Sequence, residues 1–288
     1  MPNTAHSALF TTLFDDAALF PPGNAPMDSA VRAHEALLGR EDTVELVGPF
    51  VCRSARIPEL VGALAGLTPP PDGFFLSLVA RGGRDELLAA LAAADAPPLV
   101  VGAVELANPD TAAAVAALDE LLPKEAAGFV ELPWRSLEAG LDALAASTSP
   151  DGLRAKFRTG GTDASAFPTE AQLAGAIAGA VRRGLAFKCT AGLHHAVRRA
   201  DPETGFEHHG FLNVILATAA ALDDPSDTAA VAAALAERDP QAVAERIRAL
   251  DGPRAAAVRG RFTSFGTCSI DEPVCDLVDL GLLALAME

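Results

Sequence analysis

"LRAKFRT" (153–159) and "LAFKCTA" (185–191) decide how this chain is read. Each is a short apolar run that carries one lysine and then breaks into small residues, as a β-strand does when it runs into a loop. Only three lysines occur among 288 residues, against nineteen arginines, and Lys156 and Lys188 are two of them. Arginine cannot replace lysine where a neutral amine is needed. Two lysines in matching settings in an arginine-biased chain therefore point to amine chemistry.

Outward from these two runs, six more of strand length alternate with Ala/Leu-rich segments of helical period. They are "TLFDDAAL" (12–19), "ELVGPFVC" (45–52), "GFFLSLVA" (73–80), "PLVVGAVEL" (98–106), "GFVEL" (128–132) and "RFTSFGTCS" (261–269). The helical segments fall near 28–39, 56–66, 83–94, 109–122, 135–147, 169–184 and 271–286. "NPDTAAAVAAL" places a proline early, and "FPTEAQLAGAI" sets Thr169 ahead of an acidic residue. Eight strands with interleaved helices predict an α/β fold, a (β/α)8 TIM barrel forming one domain over 1–288. The competing open doubly wound sheet lacks its GxGxxG fingerprint here. The connection 192–260 between strands seven and eight is far longer than the rest. It is expected to have its own structure, with helical stretches near 227–236 and 240–250, and to serve as a lid, a substrate wall or a homo-oligomer contact.

A net charge of −16 repels a phosphate backbone, and no Lys/Arg block offsets it, which argues against nucleic acid. A small anionic or carbonyl substrate remains compatible, because local cations can capture it. No uninterrupted apolar run reaches membrane-spanning length, and the start "MPNTAHSALFTTLFDD" has no leader pattern, so a cytoplasmic chain without membrane association is expected. Cys52, Cys189, Cys268 and Cys275 show no CxxC spacing and read as reduced thiols.

In such barrels the site lies at the C-terminal strand ends. The polar residues there are Asp15, Asp16, Arg53, Glu105, Glu131, Lys156, Arg158 and Lys188, then the stretch Gly266 to Ser269 with Thr267. If Lys156 and Lys188 both point inward, repulsion and desolvation lower the pKa of at least one. An unperturbed lysine is neutral in roughly a few molecules per ten thousand at pH 7, so an amine nucleophile needs that depression. Glu105, Glu131 and Asp15 then read either as proton-transfer groups or as counter-ions in buried ion pairs without chemistry. The turns holding Gly160, Gly161, Gly192 and Gly266 follow three successive strands and suit a phosphate or other anion, together with Arg53 and Arg158. The pairs His194–His195 and His208–His209 leave a metal-dependent hydrolase or isomerase open, with Glu131 or Asp15 completing the site. The alternative is substrate-facing or loop-packing histidines, His194, His195 and His209 being the substrate-side candidates.

On these residues the chain resembles the deoxyribose-phosphate aldolase group of class I aldolases. "FDDAALFPP" is similar to that family's first strand and "FVCRSARIPEL" to its second, with "AVEL" at the acidic fourth-strand end and "FVEL" at the fifth. "KFRTGG" resembles the Schiff-base lysine strand, "KCTAG" the second-lysine strand and "FGTCS" the eighth-strand phosphate loop. The resemblance implies a cofactor-free lyase in which Lys156 attacks an aldehyde or keto acid, phosphorylated or not, and Lys188 lowers its pKa. Gly192, Gly266 and Ser269 would belong to a phosphate site. Glu105 stands where the family has Asp, and Arg158 where it has a small hydroxylated residue, which suits the pocket to a carboxylate. A third reading, a barrel whose lysines hold an anion without turnover, uses the same residues.

Overall fold

The computed structural model describes residues 8–68, 70–149 and 151–284. Eight parallel strands close into a barrel: β1 (Phe14–Asp16), β2 (Val47–Arg53), β3 (Phe74–Arg81), β4 (Leu99–Ala107), β5 (Ala127–Glu131), β6 (Arg154–Arg158), β7 (Phe187–Thr190) and β10 (Phe262–Thr267). The last strand pairs with both β7 and β1, which removes every sheet edge. Seven helices alternate with these strands: α1 (Met27–Leu38), α2 (Ile57–Leu64), α3 (Arg84–Ala94), α4 (Thr111–Leu121), α5 (Leu137–Ala145), α6 (Glu170–Arg182) and, after the final strand, α11 (Asp271–Asp279). The expected (β/α)8 barrel is thus present. None of its helices among the described residues is long and apolar enough to cross a membrane.

Capping chemistry sets several helix starts. Thr169 and Gln172 satisfy each other's backbone N–H groups ahead of α6. Asp110 caps α4 by accepting from Ala113 N, so Pro109 lies before the cap rather than inside the helix. The long connection between β7 and β10 folds into a two-stranded ribbon, β8 (Arg199–Ala200) with β9 (Glu207–His208), and then four helices: α7 (Phe211–Asp223), α8 (Thr228–Ala236), α9 (Pro240–Arg248) and α10 (Gly252–Arg259). Only α8 and α9 are legible in the sequence. α7 buries ten of its thirteen residues, so it has no polar face to reveal a helical period. Asp251 caps α10 by accepting from Arg254 N.

The apolar core lies between the strands and the helices. Phe265 stacks on Phe211 of α7 and Phe14 meets both edge-on, while Phe157, Phe187 and Phe262 form a neighbouring aromatic run, all fully buried. His34 of α1 packs between Phe50 and Phe74 and donates from Nδ1 to Asp16 Oδ2 at 3.0 Å. At the strand-end rim, the turns after β6 and β7 press together: Thr159 N donates to Thr190 O at 2.9 Å, and Gly160 abuts Gly192. Gly192 sits at φ +76°, where a Cβ would lie 2.7 Å from Thr159 O.

Gly192→Ala therefore combines left-handed backbone strain with a backbone clash. It is expected to lower unfolding free energy by about 1–3 kcal/mol, read as a fall in the urea midpoint at unchanged slope.

Candidate active site

Strand alternation sends every second side chain into the barrel. On β6 the inward set is Arg154, Lys156 and Arg158, and on β7 it includes Lys188, which lies directly opposite Lys156 in the register. Glu131 of β5 pairs with Lys156 on the other side. The two lysines do meet inside one barrel, as expected.

They do not meet as a bare ammonium pair. Glu105 of β4 lies between them, with Oε2 at 2.7 Å from Lys156 Nζ and Oε1 accepting from Lys188 Nζ at 2.5 Å. Ser77 Oγ of β3 donates to the same Oε1 at 2.7 Å. Lys188 also donates to Asp15 Oδ2, which takes a second hydrogen bond from Ser264 Oγ at 2.8 Å. Lys156 reaches Glu131 Oε2 at 3.1 Å, and Glu131 Oε1 accepts from Arg158 Nε at 3.2 Å. Three carboxylates thus face three cations.

Exposure rises steeply along this chain of charges. The Lys188 side chain is 1% accessible, Lys156 4%, Glu131 21% and Arg158 38%. The cluster is sealed at Asp15 and Lys188 and opens at Glu131 and Arg158, at the C-terminal strand ends. Lys156 is the amine nearest the opening.

The electrostatics depart from the expectation that the pair would give up a proton through repulsion. Burial disfavours the Lys188 ammonium, but the carboxylates of Asp15 and Glu105 outweigh it and hold its pKa above the ordinary lysine value. Burial likewise opposes the Glu105 charge, and the two lysines overcome it, leaving the carboxyl well below the usual range. Glu131 is lowered too, by Lys156 and Arg158 against burial. For Asp15 burial wins over Lys188 and raises the carboxyl. Glu105, by standing between the amines, turns expected repulsion into shared attraction.

Other expected residues scatter. Asp16 points out of the barrel to His34 and is no part of the mouth. Arg53 is exposed and lies over the Phe20 ring at 4.9 Å. Gly160, Gly161, Gly192 and Gly266 sit in or beside the rim turns, Gly266 paired with both Thr190 and Asp15. Thr267 Oγ1 donates to Ser269 O at 2.9 Å, closing the last turn on itself.

The histidines do not converge. His194 Nδ1 lies 3.2 Å from Glu272 and 3.4 Å from Thr267 Oγ1. His195 faces Asp276 of α11 at 3.2 Å, and His208 packs on the Phe167 ring at 4.7 Å. His209 is buried, its Nε2 against Pro168 O at 2.8 Å and its Nδ1 against Arg198 at 3.1 Å; burial pushes it down to about 4. It is neutral and structural rather than substrate-facing. With Glu131 and Asp15 committed to lysines, no group of three or more His, Cys, Asp or Glu among the described residues could hold a metal ion.

The sequence reading overlooked Ser77, Ser264 and Phe129, which complete the site. The signal for Ser77 was a lone hydroxyl inside the apolar run "FFLSLVA". Ser264 stands two residues before Gly266, on the strand that pairs with β7. Phe129 lies under Lys188 Nζ at 5.2 Å from its centroid.

Removing the Lys188 charge leaves Asp15 and Glu105 buried with less compensation. Lys188→Met is expected to cost about 3–5 kcal/mol, whereas Arg56→Ala, which breaks the exposed pair with Glu59, should cost about 1 kcal/mol or less; urea unfolding at pH 7 compares them. The lowered pKa values of Glu105 and Glu131 mean that the folded state binds their protons less readily than the unfolded chain. Their stabilisation is present at neutral pH and is lost as pH falls below roughly 4.3, the ordinary glutamate value. Glu131→Gln should flatten that acid limb.

No family model and no curated protein matches the chain, which leaves the ion-paired lysines and the exposure gradient above them as the features from which its chemistry is read.

Proposed function

We propose that the protein is a class I aldolase-like lyase that forms a Schiff base between Lys156 and a small aldehyde or keto acid. The observation that carries this reading is the position of Lys156: nearly buried, flanked by two carboxylates, and nearest the opening of a barrel whose deeper lysine is sealed.

The first step requires the Lys156 ammonium to lose a proton. Glu131 is the acceptor in contact with it that also faces the mouth, since Glu105 is held anionic by two lysines. The amine lone pair then forms the C–N bond as the carbonyl π electrons move to oxygen. The proton on Glu131 passes to that oxygen, a second proton then moves from the now-cationic nitrogen to the same oxygen by way of Glu131, water leaves, and an iminium remains. An iminium carries its positive charge where the ammonium did, so the carboxylates that hold the resting lysine also stabilise the electron sink. Cleavage of the Cα–Cβ bond delivers its electron pair into that sink as an enamine, while the β-hydroxyl gives its proton to Glu131 and its carbon leaves as an aldehyde. Glu131 returns the proton to the enamine carbon, and hydrolysis of the iminium returns the amine. Lys188 stays cationic throughout and keeps Glu105 ionised. Arg158 uses two of its five N–H donors on Glu131 and on Gly160 O, and the others suit a carboxylate or phosphate on the substrate.

The even balance of three carboxylates and three cations also supports a second reading, a barrel that holds an anionic ligand without turnover. Borohydride trapping separates the two. Incubation with a panel of aldehydes and keto acids is expected to yield a reduced adduct on Lys156 and none on Lys188, located by mass spectrometry. Lys156→Arg should abolish both adduct and turnover. A folded wild-type chain that traps nothing across the panel, with ligand binding kept in Lys156→Arg, establishes the second reading instead.

A further inference from the structure

A second charged site lies at the opposite end of the barrel. A cleft of about 440 Å³ opens between the strand starts of β6, β7 and β10, lined among others by Arg154, Arg259, Arg261, Gly184 and Asp151. That volume is within the range of small-molecule sites. Among the described residues, none of the three guanidiniums forms an ion pair with a carboxylate, although acidic residues outnumber basic ones by 38 to 22 over the whole sequence. Asp151 is the one acidic residue lining the cleft.

The arginines are fixed in place by other means. Arg259 donates to Phe262 O at 2.6 Å and to Thr11 O at 2.9 Å, and Arg261 donates to Gly184 O. Arg154 lies with its guanidinium over the Phe129 ring, 5.6 Å from the centroid. Burial costs Arg259 enough to push its pKa down to about 10. Each guanidinium keeps N–H donors beyond those carbonyl bonds. Three partly buried cations with no carboxylate among the described residues in contact, only the longer-range fields of Asp151 at Arg154 and of Asp15 at Arg259, are under-compensated unless an anion completes them.

We propose that this cleft binds a phosphorylated small molecule, with its phosphate held by Arg154, Arg259 and Arg261. A planar carboxylate matches one guanidinium fork, whereas a tetrahedral oxyanion accepts hydrogen bonds from three directions at once. The volume leaves room for the group that carries the phosphate. The site faces away from the Glu131–Arg158 opening and does not depend on any chemistry at Lys156. The Phe129 ring lies between them, its centroid 5.6 Å from the Arg154 guanidinium and 5.2 Å from Lys188 Nζ.

Inorganic pyrophosphate, titrated calorimetrically at constant ionic strength into the full chain, tests the proposal. Saturable binding is expected, weakened about tenfold or more by Arg261→Gln, the loss of one charge-assisted hydrogen-bonding partner. Asp151→Asn should tighten it severalfold, and Arg158→Gln at the other mouth should leave it in place. Absence of saturable binding overturns the inference, as does binding that Arg158→Gln removes while Arg261→Gln retains it. Should Arg261→Gln fail to fold, Asp151→Asn decides: tighter binding supports the site, and unchanged affinity overturns it.

Discussion

The Glu105 carboxylate, held between two ammonium groups that approach from neighbouring strands, is the interaction on which the barrel interior depends. A charge buried in the lumen is tolerable only when its partners arrive at hydrogen-bonding distance, and here that requires β4, β6, β7 and β1 to hold one register. Because the middle of the lumen is given over to ions, apolar stabilisation comes from outside the sheet. The Phe14–Phe211–Phe265 and Phe157–Phe187–Phe262 contacts do that work, and α7 is nearly all apolar because it covers this face. Even β2 yields to the ions: a Cβ at Gly48 would stand 2.4 Å from Asp15 Oδ1.

Two lysines in one network take opposite positions. Lys188 is enclosed by Asp15 and Glu105 and serves the network as a permanent cation. Lys156 shares Glu105 but has Glu131 as its second partner, and that carboxylate reaches the open rim with Arg158. Depth decides the division of labour more than chemistry does, because both side chains start from the same functional group on adjacent strands.

The strand pattern was legible because each run is short, apolar and ended by a turn, and every barrel strand falls within two residues of its expected bounds except β1, whose ladder ends three residues before the expected run does. The lysine juxtaposition followed from two lysines at like positions on consecutive strands. Glu105 and Glu131 were legible as candidate counter-ions of the lysines; what sequence could not supply was that Glu105 stands between the two, since it lies 51 residues before Lys156 and its side-chain direction depends on a register shift in β4. "DD" at 15–16 was equally opaque: adjacent residues on a strand face opposite ways, so one aspartate enters the lumen and the other meets His34. The histidine pairs suggested a cluster by sequence proximity, but each ring was claimed by a different neighbour across the long connection.

The seating of Asp15 has a consequence for how the molecule assembles. Its two side-chain partners, Lys188 and Ser264, lie 173 and 249 residues further along the chain. On a ribosome the first strand therefore emerges long before anything can neutralise it, and its aspartate stays hydrated while the middle of the sheet forms. Ring closure is the last act, made by the first and last barrel strands, and a nascent chain arrested just before β10 would be an open sheet with two unpaired margins.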